Sequence, residues 1–193
     1  MATEKTLADA FYETLKDVYY AEKQSVKALK KSAKAAQSDD LTQAFTRHAE
    51  ESATQVERLT QVFEIIGKPA RAKTCEAMQG LVSEMESDLE DFGDTDAADQ
   101  VLIGCAQAVE HYEIARYGLL KSWAGKLGYD DAVELLDATL QEEKATDELL
   151  TQIADGLDYV TGDGSTDEDD LDENKPADAA SKSKKAKAKS KAA

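Results

Sequence analysis

The sequence predicts an all-α chain: an antiparallel four-helix bundle with an extra short helix in its long crossover. Three observations predict it. Apolar residues recur at three- and four-residue steps along four long segments, the mark of helices with one buried stripe each. Two prolines and ten glycines in 193 residues are too few for the many turns of a sandwich or barrel. The connections run short, long, short, so each short loop forces an antiparallel pair and the long one joins the two pairs.

The first helix is expected over residues 3–36, with Leu7, Phe11, Leu15, Val18, Val26 and Leu29 on its stripe. Ser38-Asp39-Asp40 supplies a turn and an N-cap before a second helix over 41–66, which stops at Gly67-Lys68-Pro69. Residues 70–93 are more weakly amphipathic (Met78, Leu81, Val82, Met85, Leu89, Phe92) and read as one short helix. Gly93-Asp94-Thr95-Asp96 breaks it. Two further long helices follow over 97–123 and 130–154, separated by 125–128 with a glycine at each end. Two helical hairpins joined by one crossover form the ferritin-like arrangement.

Beyond the bundle the composition changes. Residues 155–173 hold nine acidic and no basic residues, and 174–193 hold seven lysines and one aspartate. Neither stretch has the apolar content to repay chain ordering, so the domains are expected to be a bundle over 1–156 and a disordered tail over 157–193. The whole chain carries 40 acidic against 23 basic residues, a net charge of −17. That field repels phosphate, so only a local basic segment could meet nucleic acid or anionic lipid. The segment available is the arm of Lys182, Lys184, Lys185, Lys187, Lys189 and Lys191. It has no aromatic residue to stack on bases, so its DNA contact would be non-specific. Its lysines could equally pair with the adjacent acidic run.

No apolar run approaches the ~18–20 residues of a membrane span, so no membrane contact is expected. The opening MATEKTLADAFYETL lacks an apolar signal core, which points to a cytoplasmic protein. Cys75 and Cys105 are too few for a disulfide scaffold. Neither has a cationic neighbour in sequence, and both read as inert thiols.

The chemistry lies in polar residues placed where the stripes ask for apolar ones. The first helix puts Glu22 between Val18 and Val26. The second runs Leu41, Phe45, His48, Glu51 or Ser52, Gln55, Leu59, Val62. The helix over 97–123 runs Ile103, Ala106, Glu110, Glu113, Tyr117, Leu120. The last runs Val133, Leu136, Leu140, Glu143, Asp147, Leu150. Every stripe is apolar at both ends and polar in the middle. One such acid has a bland explanation as a boundary residue, but four helices agreeing on one level is different. Buried carboxylates without partners cost several kcal/mol each, and they take up protons or gather cations.

Folding the hairpins about their loops brings Glu22 level with Gln55, with Glu51 a turn away, and Glu143 within a turn of Glu110 and Glu113. Glu22, Glu51, Glu110, Glu113 and Glu143 are therefore the expected metal ligands, with Asp147 and His48 as further candidates. By the same arithmetic His48 lies about a turn too far along. Gln55, Tyr19, Tyr112 and Tyr117 are candidates to hold ligands by hydrogen bonds. Oxygen-rich donors with one imidazole suit iron or manganese, two ions per chain, better than zinc or copper. The usual Glu-x-x-His pair of di-iron bundles is missing: Thr54 follows Glu51 and Thr146 follows Glu143 at that spacing.

Several stretches, taken together, resemble the YciF-like stress proteins (DUF892). They are Asp17-Val-Tyr-Tyr-Ala-Glu-Lys-Gln24, His48-Ala-Glu-Glu51 with Gln55-Val-Glu-Arg-Leu59, and Cys75-Glu-Ala-Met-Gln-Gly-Leu81. Glu110-His-Tyr-Glu-Ile-Ala-Arg-Tyr-Gly118 and Thr139-Leu-Gln-Glu-Glu-Lys144 with Asp147 complete the set. The resemblance covers residues 5–154 and leaves out the tail. It implies a five-helix ferritin-like fold, a homodimer or higher homo-oligomer, and kinship with rubrerythrin and the small DNA-protecting ferritins. It implies no established reaction. Two functions follow as expectations: stress-associated handling of iron or peroxide at a di-metal site, with di-iron oxidase or peroxidase chemistry, or a non-catalytic protein with a polar bundle core, DNA-associated through its tail.

Overall fold

The structure is a computed structural model that describes residues 4–158. Expectations for 159–193, including disorder and the DNA-contacting lysines, lie outside the described residues. Among the described residues five helices occur: α1 (Leu7–Ala35), α2 (Asp39–Ile65), α3 (Glu76–Phe92), α4 (Ala98–Leu127) and α5 (Asp130–Gly156).

Helix α1 starts later than its periodicity suggests because Thr6 and Asp9 form a capping box. The Thr6 hydroxyl accepts from the Asp9 N–H, and the Asp9 carboxylate accepts from the Thr6 N–H at 2.8 Å. Ser38, not Asp40, caps α2, accepting from the Leu41 N–H, so Asp39 and Asp40 sit in the first turn and complement the helix dipole. Gly67 ends α2 at φ 64°, letting the Lys68 N–H reach back to the Phe63 carbonyl. The short third helix begins only at Glu76, capped by the Cys75 sulfur, which accepts from the Met78 N–H. Helix α4 runs on through Gly125 to Leu127. Only Gly128, at φ 74°, makes the turn, because a reversal this tight needs one left-handed residue rather than two glycines.

The long helices form a square whose neighbours are α1–α2, α2–α5, α5–α4 and α4–α1, while α3 lies against α1 and α4. The N-terminus of α4 meets the α1–α2 loop, and Phe11 near the start of α1 meets Tyr129 before α5, so all four neighbouring pairs are antiparallel. The crossover leaves α2, hydrogen-bonds along α1 (Tyr12 to Pro69, Lys73 to Lys16), and returns as α3.

Asp99 fastens the far end of the bundle. Its carboxylate accepts from the backbone N–H of Gln37 at 2.7 Å and of Ser38 at 2.8 Å, tying the α1–α2 loop to α4. Asp99→Ala is expected to cost about 2–3 kcal/mol, because two part-buried donors lose a charged acceptor. A urea titration would show it as a lower midpoint at unchanged slope. An unchanged midpoint would mean that the loop is held by other contacts.

Two apolar layers fill the square. One holds Phe11, Leu15, Val18, Leu59, Val62, Phe63, Leu120 and Leu136, and the other Leu29, Leu41, Phe45, Leu102, Ile103 and Leu150. Between them lies a buried polar layer. On α1 the buried face is Phe11, Leu15, Val18, Ala21, Glu22, Ser25, Leu29 and Ser32, with Val26 only half-buried. Ser32 turns toward α3, its hydroxyl 3.4 Å from the Met85 sulfur.

Candidate metal centre

Each long helix supplies the polar layer from the middle of its stripe. Glu22 comes from α1; His48, Ser52 and Gln55 from α2; Glu110, Glu113 and Tyr117 from α4; Glu143 from α5. Each is at most 2% exposed. Helical spacing explains the set, since residues three, four and seven apart share one face.

The groups converge. His48 Nε2 lies 3.0 Å from Glu110 Oε1 and 3.5 Å from Glu143 Oε2. Tyr117 donates to Glu22 Oε1 at 2.5 Å. Two trios, His48–Glu110–Glu143 and Glu22–Glu113–Glu143, each offer three ligand atoms within 4.8 Å of one another, and Glu143 belongs to both. Among the described residues both oxygens of Glu110, Glu113 and Glu143 lack a hydrogen-bond partner, as do Glu22 Oε2, Gln55 Oε1 and His48 Nε2. The close His48–Glu110 approach is thus an ion-pair contact without hydrogen-bond alignment. Orphaned buried acceptors in this number are costly in a protein interior.

Electrostatics records the same strain. Burial pushes the Glu22 carboxyl up to about 7, against the pull of the Tyr117 hydrogen bond. Burial, and then the Glu22 and Glu110 charges, push Glu113 well above the carboxylate range. Glu143 rises likewise through burial and the adjoining Glu110 and Glu113 carboxyls. Burial alone would lower His48, but Glu110 and Glu51 outweigh it and hold the imidazole up at about 9. Without cations this layer keeps protons that ordinary carboxylates lose. The donors fit a metal pair: four buried carboxylates, one imidazole, unspent lone pairs, and a carboxylate shared between two trios.

Several expected positions turn out differently. Glu51 points outward: its side chain is 40% exposed, with Arg47 at 3.8 Å and His48 Nδ1 at 3.5 Å, and Ser52 takes the inward position. His48 lies at the centre, not a turn beyond it. Ala35 and Asp39, the facing ends of α1 and α2, are symmetric about Gln37, so Glu22 is level with Ser52 rather than Gln55. Asp147 turns to Gln107 at 3.0 Å and His111 at 3.2 Å, and Thr146 faces inward, its hydroxyl 3.2 Å from His48 Nδ1.

Of the three candidate tyrosines, only Tyr117 hydrogen-bonds a central carboxylate. Tyr19 packs edge-on against Phe63 under the Lys23 ammonium. Tyr112 donates to Asp17 at 2.9 Å and lies 3.0 Å from the Cys75 sulfur. Gln55 is buried, but its amide donates to Glu142 rather than to a central acid. Arg58 grips that same Glu142 at 2.8 and 2.9 Å and reaches Thr139 at 2.7 Å. The sequence reading missed Arg58 and Glu142. The available signal was Arg58 lying one turn beyond Gln55 on α2. Burial and the neighbouring Asp88 push the Cys105 thiol up to about 12, in keeping with an unreactive group.

Comparison with known proteins adds a lineage. The family model described as a domain of unknown function (DUF892) matches residues 6–159. Over 152 residues the chain is 47% identical to protein YciF of Escherichia coli K12, covering 78% of this chain and 91% of that protein. The crystal structure of the E. coli stress protein YciF aligns with a TM-score of 0.77 and 44% identity, over 80% of this chain and 98% of that one. The structure of YcfI from Rhodopseudomonas palustris aligns with a TM-score of 0.75 and 42% identity, over 78% and 97% respectively. A Xanthomonas campestris protein at 22% identity and a TM-score of 0.62, over 78% of this chain and 92% of that one, shares the fold.

Proposed function

The chain belongs to the DUF892 family, and on that footing we propose that its bundle centre binds two iron or manganese ions and serves stress-associated handling of iron or peroxide. The observation that carries this reading is the pair of ligand trios sharing Glu143, lined by orphaned carboxylate oxygens from three helices. Kinship with a protein named for stress supports the physiological setting.

His48 and Glu110 would hold one ion, Glu22 and Glu113 the other, and Glu143 would serve both. A metal pair of this kind supplies the two electrons that reduction of hydrogen peroxide to water consumes. The protein's part is positional. Tyr117 fixes the rotamer of Glu22 and leaves its second oxygen free. Thr146 and Glu51 face His48 Nδ1, which leaves Nε2 to turn its lone pair inward. The apolar layers on either side exclude bulk water, and Glu22 can surrender its proton as an ion enters.

Protein purified from iron-supplemented cells is expected to carry about two iron or manganese ions per chain by mass spectrometry, and a Glu22→Ala/Glu143→Ala variant none. A metal-free parent beside a variant of equal or greater stability would overturn this reading. The centre would then be an ion-free polar layer held by the Tyr117–Glu22 hydrogen bond and the His48–Glu110 pair.

A further inference from the structure

The two trios that share Glu143 differ in chemistry. One offers the imidazole Nε2 of His48 with the Glu110 and Glu143 carboxylates. The other offers only oxygen: Glu22, Glu113 and Glu143. The difference is built into the fold. Helix α2 contributes a nitrogen donor from His48 and opposes Glu22 with Ser52, while α1 and α4 contribute only carboxylates and a phenol. Tyr117 occupies one oxygen of Glu22, so that residue presents a single free oxygen, whereas Glu113 keeps both. The imidazole is aimed as well as present, because Nδ1 faces Thr146 at 3.2 Å and Nε2 faces Glu110 at 3.0 Å.

We infer that the centre is an unequal pair: the His48–Glu110–Glu143 half takes a borderline divalent ion such as Fe(II), for which Zn(II) is a redox-silent probe, and the Glu22–Glu113–Glu143 half takes a hard, oxygen-seeking ion such as Mn(II). The inference rests on the metal reading given above and says which ion goes where. Nitrogen donors raise affinity along the series from manganese to the later divalent metals, whereas an all-carboxylate site discriminates much less and suits manganese. Both halves draw on Glu143.

The test uses the full chain, stripped by chelator and given one equivalent each of Zn(II) and Mn(II). Native mass spectrometry reads the species, and manganese EPR reads the Mn(II) environment. A dominant mixed Zn/Mn chain is expected. A statistical spread of Zn/Zn, Zn/Mn and Mn/Mn would overturn the inference while leaving the metal reading intact. No ion bound at all would overturn both.

Two variants locate the halves, with circular dichroism reporting that each is folded. His48→Gln is expected to weaken Zn(II) binding at least about 100-fold and leave Mn(II) binding within about threefold. Glu113→Gln is expected to weaken Mn(II) and spare Zn(II). Equal loss of both ions in each variant would show a single undivided site and overturn the inference.

Discussion

Replacing Glu113 by leucine is expected to raise the thermal midpoint of the ion-free protein by roughly 10 °C at pH 7, while abolishing the oxygen-only half of the proposed metal centre. Glu113 is fully buried, and neither of its carboxylate oxygens has a hydrogen-bond partner among the described residues. Glu22, Glu110 and Cys75 face it and supply no positive charge. Leucine has nearly the same volume, so the change removes a desolvated polar group without opening a cavity. Removing such a group stabilises by about 2–3 kcal/mol, and each kcal/mol moves the midpoint of a domain this size by about 3–4 °C. Calorimetry in chelator measures the gain. The same scan with added manganese should show the parent gaining stability and the variant gaining little. A variant less stable than the parent without metal would mean that Glu113 is satisfied in the ion-free fold and is not held there for ions.

Raising the pH from 5 to 9 is expected to destabilise the ion-free protein progressively and to have far less effect once metal is bound. Glu22, Glu113 and Glu143 have folded-state values above their unfolded ones, so between about pH 4.5 and 7 the folded chain keeps protons that the unfolded chain has released. Stability therefore falls as pH rises through that window. For Glu22 alone, a rise from 4.5 to about 7 corresponds to on the order of 3 kcal/mol.

His48 acts in the same direction at higher pH. Its value is raised from 6.5 to about 9 by Glu110 and Glu51 against the cost of burial, so its contribution is complete below about 6.5 and lost through 9. The charged groups around the layer, from all four helices, are Glu22, His48, Glu51, Glu110, Glu113, Glu142, Glu143 and Arg58. Glu51 and Glu142 have lowered values, and their effect lies below pH 4.5, where stability falls as they take up protons. The ion-free protein should therefore be most stable near pH 5, and thermal scans with and without metal across the range would show it. On the proposed metal reading ions take the place of these protons, so metal uptake at pH 6 should release protons measurable in weakly buffered solution. A flat midpoint for the ion-free protein from pH 5 to 9 would contradict these shifts.

Much of the centre was legible because its signal is local. Glu22, Glu110, Glu113 and Glu143 each interrupt an apolar stripe on their own helix, and burial on a helix follows from spacing alone. Tyr117 was legible as the next residue on the Glu110–Glu113 stripe. Choices between adjacent positions were not. Glu51 against Ser52, and Asp147 against Thr146, differ by about 100° of rotation, and which one faces inward depends on how the helix is turned in the square. The reading favoured the acid in both cases, and the bundle turned the small hydroxyl residue inward. His48 was misplaced for a related reason. Its level depends on where α1 stops and α2 starts, and the Ser38 cap moves the pivot of the hairpin to Gln37.

By itself the sequence determined that the chain folds into paired helices, that the second pair is reached by a crossover with its own helix, and that every long stripe turns polar at mid-length. These are properties of single segments and their spacing, written in the order of residues. Only the tertiary structure decided that Glu143 serves two trios, that His48 Nε2 meets Glu110 across the core, and that Glu22 is held by Tyr117 rather than Tyr19 or Tyr112. Those pairings join residues on different helices. Their distances depend on helix rotation and axial offset, which the apolar layers above and below set by close packing, and a shift of one residue in either would exchange every partner.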